Sequence, residues 1–426
     1  MIQDKPRRVA IIGGTRIPFA RAFTAYAQCS NQVMMTAALK GLVEKYNLKG
    51  ERIGDVGLGA VMKHSRDFNL ARESVLGSGL DPHTPAFDLQ RACGTSLETV
   101  INIAYKIALG QIDSGIAGGV DSTSDVPIVY GDDFREIMLE SNRGRSFGDK
   151  LKPWLKLRPK HLKPSFPGVA EPRTGLSMGQ SCELMAKEWK ISREEQDELA
   201  YLSHRNAAAA WDAGWYDDLV TPFNGLARDN NVRKDTSLEK LATLKPVFDR
   251  ENGTLTAGNS TPLTDGASAV LLATEEWARE RGLEPLAYFT FGEVAAVDFV
   301  WQKEGLLMAP AYAVPRMIDR AGLSLQDFDI YEIHEAFAAQ TLCTLKAWES
   351  DKFCRERLGR DKALGPIDRS KLNLKGGSVA LGHPFAATGA RIVASLAKQL
   401  AERGSGRGLI SVCTAGGMGV TAILER

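Results

Sequence analysis

The chain's 426 residues exceed what one ordinary core uses, so two domains, or one domain with a large insertion, are expected. A hydrophobic content of 44%, a charged content of 25% and a formal net charge of +1 describe a globular protein without the overall basic excess that suits nucleic acid. No apolar run approaches the ~20 residues that span a bilayer, and the six cysteines (Cys29, Cys93, Cys182, Cys343, Cys354, Cys413) form no CxxC pair and no short spacing to histidine, which points to reduced thiols rather than disulfides or zinc ligands.

The opening run MIQDKPRRVAIIGG has few apolar residues before Gly13 and carries Asp4, unlike a secretory signal or a transit peptide, so a cytoplasmic location is expected. Residues 9–13 read as a buried strand, 31–45 as an amphipathic helix and 55–61 as a second strand. Residues 87–92 lead into Cys93, and 96–109 have helical spacing of apolar residues up to Gly110, so Cys93 falls at a strand-to-helix turn. The next strand, SGIAGGVDS, is echoed near the other end by LISVCTAGGMGV, where Ala415, Gly416 and Gly417 answer Ala117, Gly118 and Gly119. Two similar α/β halves are implied.

Between the halves, residues 124–245 break the strand–helix rhythm and read as an inserted cap. Its first part, 143–163, holds eight Lys/Arg against one acid, Asp149, interleaved with Trp154 and several leucines. Pro153 and Pro159 forbid a long helix there. The stretch is either a solvated loop or a contact surface for a CoA nucleotide, an acidic partner subunit or anionic lipid, and the sequence leaves these open. Two helical segments follow, 179–189 and 193–213, the second opened by a capping box of Ser192 and Glu195.

Four patches carry reactive groups at strand ends, where α/β sites gather. Cys93 in FDLQRACGTS precedes a helix, whose unpaired N–H groups favour a thiolate, and Gly94 beside it would allow a substrate to approach closely. His383 in GGSVALGHPFAATGAR sits among Pro384, Gly382 and Gly389 just before a helix at 386–400. His334 follows the strand DIYEI and precedes helical AFAAQTLCTLKAW; Cys413 ends the strand GLISVC, and the turn after it offers backbone N–H groups to an oxyanion.

These patches, with AGGVDSTSD, RTGLSMGQSCELMAKEW, ISREEQDELAYLSHRNAAAA, LEKLATLKPVFD and GTLTAGNSTPLTDGASAVLLATEEWA, resemble the thiolase family from about Val9 to the C-terminus. The HEAF form with GHPFAATG is similar to the β-subunit branch associated with the fatty-acid oxidation trifunctional complex. The resemblance implies a thiolase fold, an α/β protein whose two similar halves form a five-layered α-β-α-β-α core with an inserted loop domain: 1–275 the first half, including the insertion at about 124–245, and 276–426 the second. Carried over residue by residue, it makes Cys93 the acylated nucleophile, His383 its activating base and an oxyanion-site donor, and Cys413 the acid/base at the α-carbon. His334 stands where many thiolases have asparagine holding a water, and Ala415 where most have the first glycine of a C-x-G-G-G run. The backbone N–H groups of Cys93 and Ala415 form the other oxyanion site. Met178 is similar to a residue lining the acyl pocket, Thr261 to a serine contacting the pantetheine arm, and Phe337 to a ring beside it.

The implied reaction is CoA-dependent cleavage of a 3-oxoacyl-CoA to acetyl-CoA and a shortened acyl-CoA through an acyl-cysteine, or the reverse condensation, with CoA as substrate and no metal or redox cofactor. The family implies a homodimer or homotetramer, and the branch a hydratase/dehydrogenase α-subunit as possible partner. The rival readings are a decarboxylating ketoacyl synthase, a non-catalytic lipid-binding or scaffold protein of the same fold, and a subunit that works only beside its partner. Acyl length and flux direction are not written in the sequence.

Overall fold

The computed structural model describes residues 5–426, so Met1 to Asp4 of the opening run lie outside the described residues. In the first half β1 (Val9–Arg16), β2 (Asp55–Leu58), β3 (Ala86–Asp88) and β4 (Ser114–Asp121) alternate with α1 (Asn31–Lys45), α2 (Leu70–Ser78) and α3 (Thr95–Ala108). Residues 122–263 then leave the sheet, carrying α4 (Asp132–Arg143), α5 (Phe147–Leu151), α6 (Met178–Glu188) and α7 (Arg193–Asp212), before β5 (Thr264–Ala273) closes the half. The second half has β6 (Ala287–Ala296), α8 (Pro310–Ala321), β7 (Ile330–Ile333), α9 (Ala338–Trp348), the single turn α10 (Ser378–Leu381), α11 (Thr388–Arg403), β8 (Arg407–Thr414) and β9 (Met418–Glu425).

The strands lie in the order β7-β8-β9-β6-β1-β5-β4-β2-β3. Numbered within its own half, each half runs 3-2-4-5-1, a parallel bridge between Tyr331 and Leu372 standing in for the third strand of the second half. Parallel and antiparallel neighbours also match: β2 with β3 and β4, and β7 with β8, are parallel, whereas β5 against β4 and β9 against β8 are antiparallel. Strands β4 and β8 are equivalent, but the short echo between them is out of register: Ala117, Gly118 and Gly119 lie within β4, whereas Ala415, Gly416 and Gly417 form the turn after β8. The sequence did not reveal that the two sheets are one: Val9–Ile11 of β1 pairs antiparallel with Ala287–Phe289 of β6, and the sheet folds over at that seam.

Helices α3 and α11 pack against each other inside the fold. A Cβ on Gly389 would stand 2.3 Å from the backbone N of Leu97, so glycine there sets how closely the two helices approach. Their apolar faces (Leu97, Val100, Ile101 and Ile392, Val393, Leu396) join strand residues such as Val270 and Val412 in one buried cluster. A second cluster lies under α1 and α2 (Met35, Leu39, Leu42, Val75) and a third under α8 and α9 (Val314, Met317, Ile318, Trp348). These three apolar layers, separated by two faces of sheet, are the five-layered α-β-α-β-α core.

Both predicted cap helices form, and Ser192 and Glu195 make the capping box, Glu195 N–H donating to Ser192 Oγ (3.1 Å) and Ser192 N–H to Glu195 Oε2 (2.8 Å). Helices α6 and α7 lie on the second half, touching α9 and α10. The basic stretch is broken as its prolines require, into α5 and two 3-10 turns at Lys152–Lys156 and Pro159–Leu162, with Phe147 and Leu155 each 79% exposed. No helix among the described residues is long and apolar enough to cross a membrane.

Candidate active site

Cys93 lies at the N-terminal end of α3, as its position before a helix predicts. Ala92 adopts the left-handed φ of 43°, a conformation non-glycine residues rarely take, and this tightens the turn. Thr95 fastens it, accepting from Arg91 N–H at 2.9 Å and donating its hydroxyl to Ala92 O at 2.7 Å. Gly94 also has a use in packing. A Cβ there would come 2.6 Å from Val420 Cγ2 and 3.0 Å from Thr414 Cγ2, so the missing side chain lets the turn nestle against β8 and β9 of the other half.

That approach brings the nucleophile candidate to the second half's groups. The Ala415 backbone N–H favours the ionised form of the half-buried Cys93 thiol, and Cys93 in turn disfavours ionisation of the Cys413 thiol. Burial pushes the Cys93 thiol up to about 12, with the Ala415 N–H opposing and the Asp121 carboxylate adding to the rise. Burial holds the Cys413 thiol well above its ordinary value, with Cys93 the next cause.

The two histidines are buried side by side, ring centroids 4.1 Å apart. Nδ1 of His383 meets Thr388 Oγ1 at 2.6 Å and Nδ1 of His334 meets Ser378 Oγ at 2.8 Å, while Nε2 of each is buried without a partner. Burial, then the nearby Arg391 guanidinium, lowers His383 to about 3; burial, His383 and Arg391 hold His334 well below its ordinary value. At neutral pH the site therefore holds neutral imidazoles and thiols, with two free ring nitrogens ready for an incoming group.

Two carboxylates that the motif reading did not single out fasten the assembly. Asp121, at the end of β4, accepts from Val61 N–H (3.0 Å), Met62 N–H (2.7 Å) and Ala386 N–H (2.8 Å), tying the His383 loop to the first half. An acid closing the buried strand SGIAGGVD was the available signal. Glu171 of the insertion accepts from Gly416 N–H at 2.6 Å and so fixes the turn that presents Ala415; nothing near Glu171 in the sequence announces this.

Met178 and Phe337 pack in the same apolar cluster as Cys413, Phe337 meeting Phe248 edge-on at 5.9 Å between centroids. Thr261 donates its hydroxyl to Ala336 O at 3.0 Å, which leaves its oxygen free to accept, and it lines a cavity of about 760 Å³. Arg21, Arg233, Lys240 and Thr236 line that cavity too, and Leu263 at its edge bridges to His383. No residue of 143–163 is among its walls, so the positive charge facing this cavity comes from Arg21, Arg233 and Lys240 instead of the basic stretch. Among the described residues no three of His, Cys, Asp and Glu are grouped to hold a metal ion.

The family model described as thiolase, N-terminal domain, matches residues 9–276, and that described as thiolase, C-terminal domain, matches 283–426. The chain belongs to the thiolase family. Proteins named 3-ketoacyl-CoA thiolase from Yersinia pestis (strain Pestoides F) and Yersinia pseudotuberculosis (strain YPIII) are each 45% identical to this thiolase over 424 residues, 98% of this chain and 97% of theirs. Among solved structures, the Bacillus anthracis acetyl-CoA acetyltransferase superposes with a TM-score of 0.82 at 29% identity, covering 99% of this chain and all of that one. Human mitochondrial 3-ketoacyl-CoA thiolase in complex with CoA superposes with a TM-score of 0.80 at 29% identity, covering 98% of each chain. The thiolase fold expected from the resemblance is therefore the fold of this chain, and the family's acyltransferase chemistry is the frame for its site.

Proposed function

We propose that this thiolase cleaves 3-oxoacyl-CoA with CoA, giving acetyl-CoA and an acyl-CoA two carbons shorter. The observation that carries this is the pairing of two groups across the halves: the Ala415 backbone N–H and the Cys413 thiol beside Cys93, and two adjacent buried imidazoles with unpartnered Nε2 atoms, His383 being on a segment that Asp121 and the close approach of Gly389 to Leu97 hold against the Cys93 half. The names of the relatives point the same way.

In this reading His383 Nε2 takes the Cys93 proton as the sulfur attacks the 3-keto carbon; the Cys93 and Ala415 N–H groups receive the resulting oxyanion. The bond between the α- and β-carbons breaks, leaving an acyl-Cys93 and the enolate of acetyl-CoA, whose oxygen is met by the Nε2–H groups of His383 and His334. Cys413 S–H protonates the α-carbon, then recovers a proton from CoA as the CoA sulfur takes the acyl group; Cys93 regains its proton from His383. The neutral resting groups suit this sequence, because each proton moves only when substrate is present to receive it.

The cavity bearing Arg21, Arg233, Lys240 and Thr261 suits the nucleotide and pantetheine arm of CoA, its cations matching phosphate. Cys93 belongs to the first half (1–275, with the insertion at 124–245) and His334, His383 and Cys413 to the second (276–426). By family analogy the protein works in the cytoplasm as a homodimer or homotetramer, and the exposed basic and apolar surface at 143–163 would suit a hydratase/dehydrogenase subunit.

The deciding experiment is CoA-dependent thiolysis of acetoacetyl-CoA and of a long-chain 3-oxoacyl-CoA, with Cys93→Ser beside wild type. Turnover lost in the variant supports the proposal, and the ratio of the substrates gives the chain-length class; no turnover by the wild type overturns it.

A further inference from the structure

The two imidazoles differ in what holds their Nδ1 atoms. Ser378 Oγ touches His334 Nδ1 at 2.8 Å and receives Arg391 Nη2–H at 2.8 Å, and these are its two hydrogen-bond partners. Ser378, Arg391 and His334 are all buried, so bulk solvent does not compete for these groups. Arg391 is always a donor and therefore takes a lone pair of the serine oxygen. The serine proton then has one acceptor within reach, His334 Nδ1. A proton on Nδ1 would aim two donors at the serine and leave the buried hydroxyl proton unsatisfied, which folded proteins avoid.

We propose that Ser378, itself oriented by Arg391, is a positioning residue that fixes His334 as the Nε2–H tautomer, so that His334 is a standing donor to the enolate oxygen. This rests on the thiolysis reading for the identity of that oxygen. His334 Nε2 is buried and unpartnered, as a donor reserved for a ligand must be. The neighbouring pair is built differently. Thr388 Oγ1, 2.6 Å from His383 Nδ1, has a second acceptor, Pro384 O at 3.5 Å, and no arginine donates to it. Its hydroxyl turns either way, so His383 Nε2 serves as proton acceptor at Cys93 and as donor afterwards. One histidine is held in a single tautomer and the other is left free to exchange, which matches one constant and one alternating duty.

Selective ¹⁵N labelling of imidazole reads the tautomer directly, with the His334 signals assigned by their loss in His334→Asn. At neutral pH the wild type is expected to show a pyrrole-type nitrogen at Nε2 and a pyridine-type nitrogen at Nδ1. A pyrrole-type signal at Nδ1, or averaged signals from both tautomers, overturns the proposal. In Ser378→Ala the preference is expected to vanish and kcat for thiolysis to fall about tenfold with KM little changed, short of the roughly 10²–10³ lost when an oxyanion donor is removed outright. Retention of the wild-type nitrogen pattern in that variant overturns the proposal as well. Should Ser378→Ala not fold, the wild-type spectrum decides alone. Absence of thiolysis in the wild type sinks the proposed reaction, whereas the nitrogen spectrum tests the tautomer whichever reaction runs.

Discussion

Gly94→Ala tests whether the fit between the halves places the nucleophile. The added methyl would stand 2.6 Å from Val420 Cγ2 and 3.0 Å from Thr414 Cγ2, where carbon atoms ordinarily rest about 3.5–4.0 Å apart. Relief calls for about 1 Å of relative movement. Val420 and Thr414 are β-branched, stiff at χ1, and lie on buried strands paired with each other, Thr414 with Met418 and Val420 with Val412. The Cys93 turn is therefore the part that gives, and Cys93 moves away from Ala415. Overpacking of this kind costs about 1–3 kcal/mol in stability, and a misplacement near ~1 Å costs reacting groups about 10² in rate. Chemical denaturation and thiolysis kinetics read the two effects, with Gly131→Ala as control, because nothing lies within 4 Å of a Cβ there and φ is −62°. A Gly94→Ala protein with the wild-type denaturation midpoint and kcat within about twofold of wild type refutes the reasoning.

Cys413→Ala is expected to lower thiolysis by roughly 10²–10⁴, the usual worth of a positioned proton donor, while acyl-CoA still labels Cys93; retained decarboxylative condensation of malonyl thioesters would favour the ketoacyl-synthase reading. Since burial pushes the Cys93 thiol up to about 12 and lowers His383 to about 3, the resting pair is expected to be thiol and imidazole at neutral pH. The thiolate ultraviolet absorbance that Cys93→Ser removes should then grow only as pH turns alkaline, and a signal already complete at neutral pH contradicts this. Glu332 is pushed up to about 7, first by burial, with Arg391 and the Gln399 hydrogen bond opposing. Its folded value lies above its unfolded one, so its contribution to stability is intact below the ordinary carboxylate range and is lost as pH rises from there through about 7. Glu332→Gln should accordingly gain on wild type across that window in paired melting curves; a constant difference refutes it.

Much of this site was legible because its reactive residues stand where strands end, a position that short Gly- and Pro-containing motifs mark locally. Cys93, His383, His334 and Cys413 were all visible in that way, as was the cap helix through Ser192 and Glu195; the paired halves were sensed through an echo that joins the right strands, β4 and β8, in the wrong register. The layering came with the family resemblance, since periodicity does not say which faces meet. The fastenings were hidden for a different reason. Asp121 reaches Ala386 across 265 positions and Glu171 reaches Gly416 across 245, and such pairings are settled by tertiary packing alone. Gly94 was noticed, but its packing against Val420, a residue of the other half, was hidden for the same reason.

Because each half repeats the same strand order, the turn before α3 and the turn before α11 are counterparts, and the first carries sulfur where the second carries imidazole. Two identical halves facing each other would set like against like, thiol opposite thiol and ring opposite ring. Joining them in one polypeptide, hinged at the β1–β6 seam, lets the counterparts differ while their geometry stays matched. On the proposed roles, a nucleophile and its base are thereby held at a common boundary that neither half possesses by itself, so catalytic competence would arise only once both have folded and closed, and turnover would itself gauge their docking.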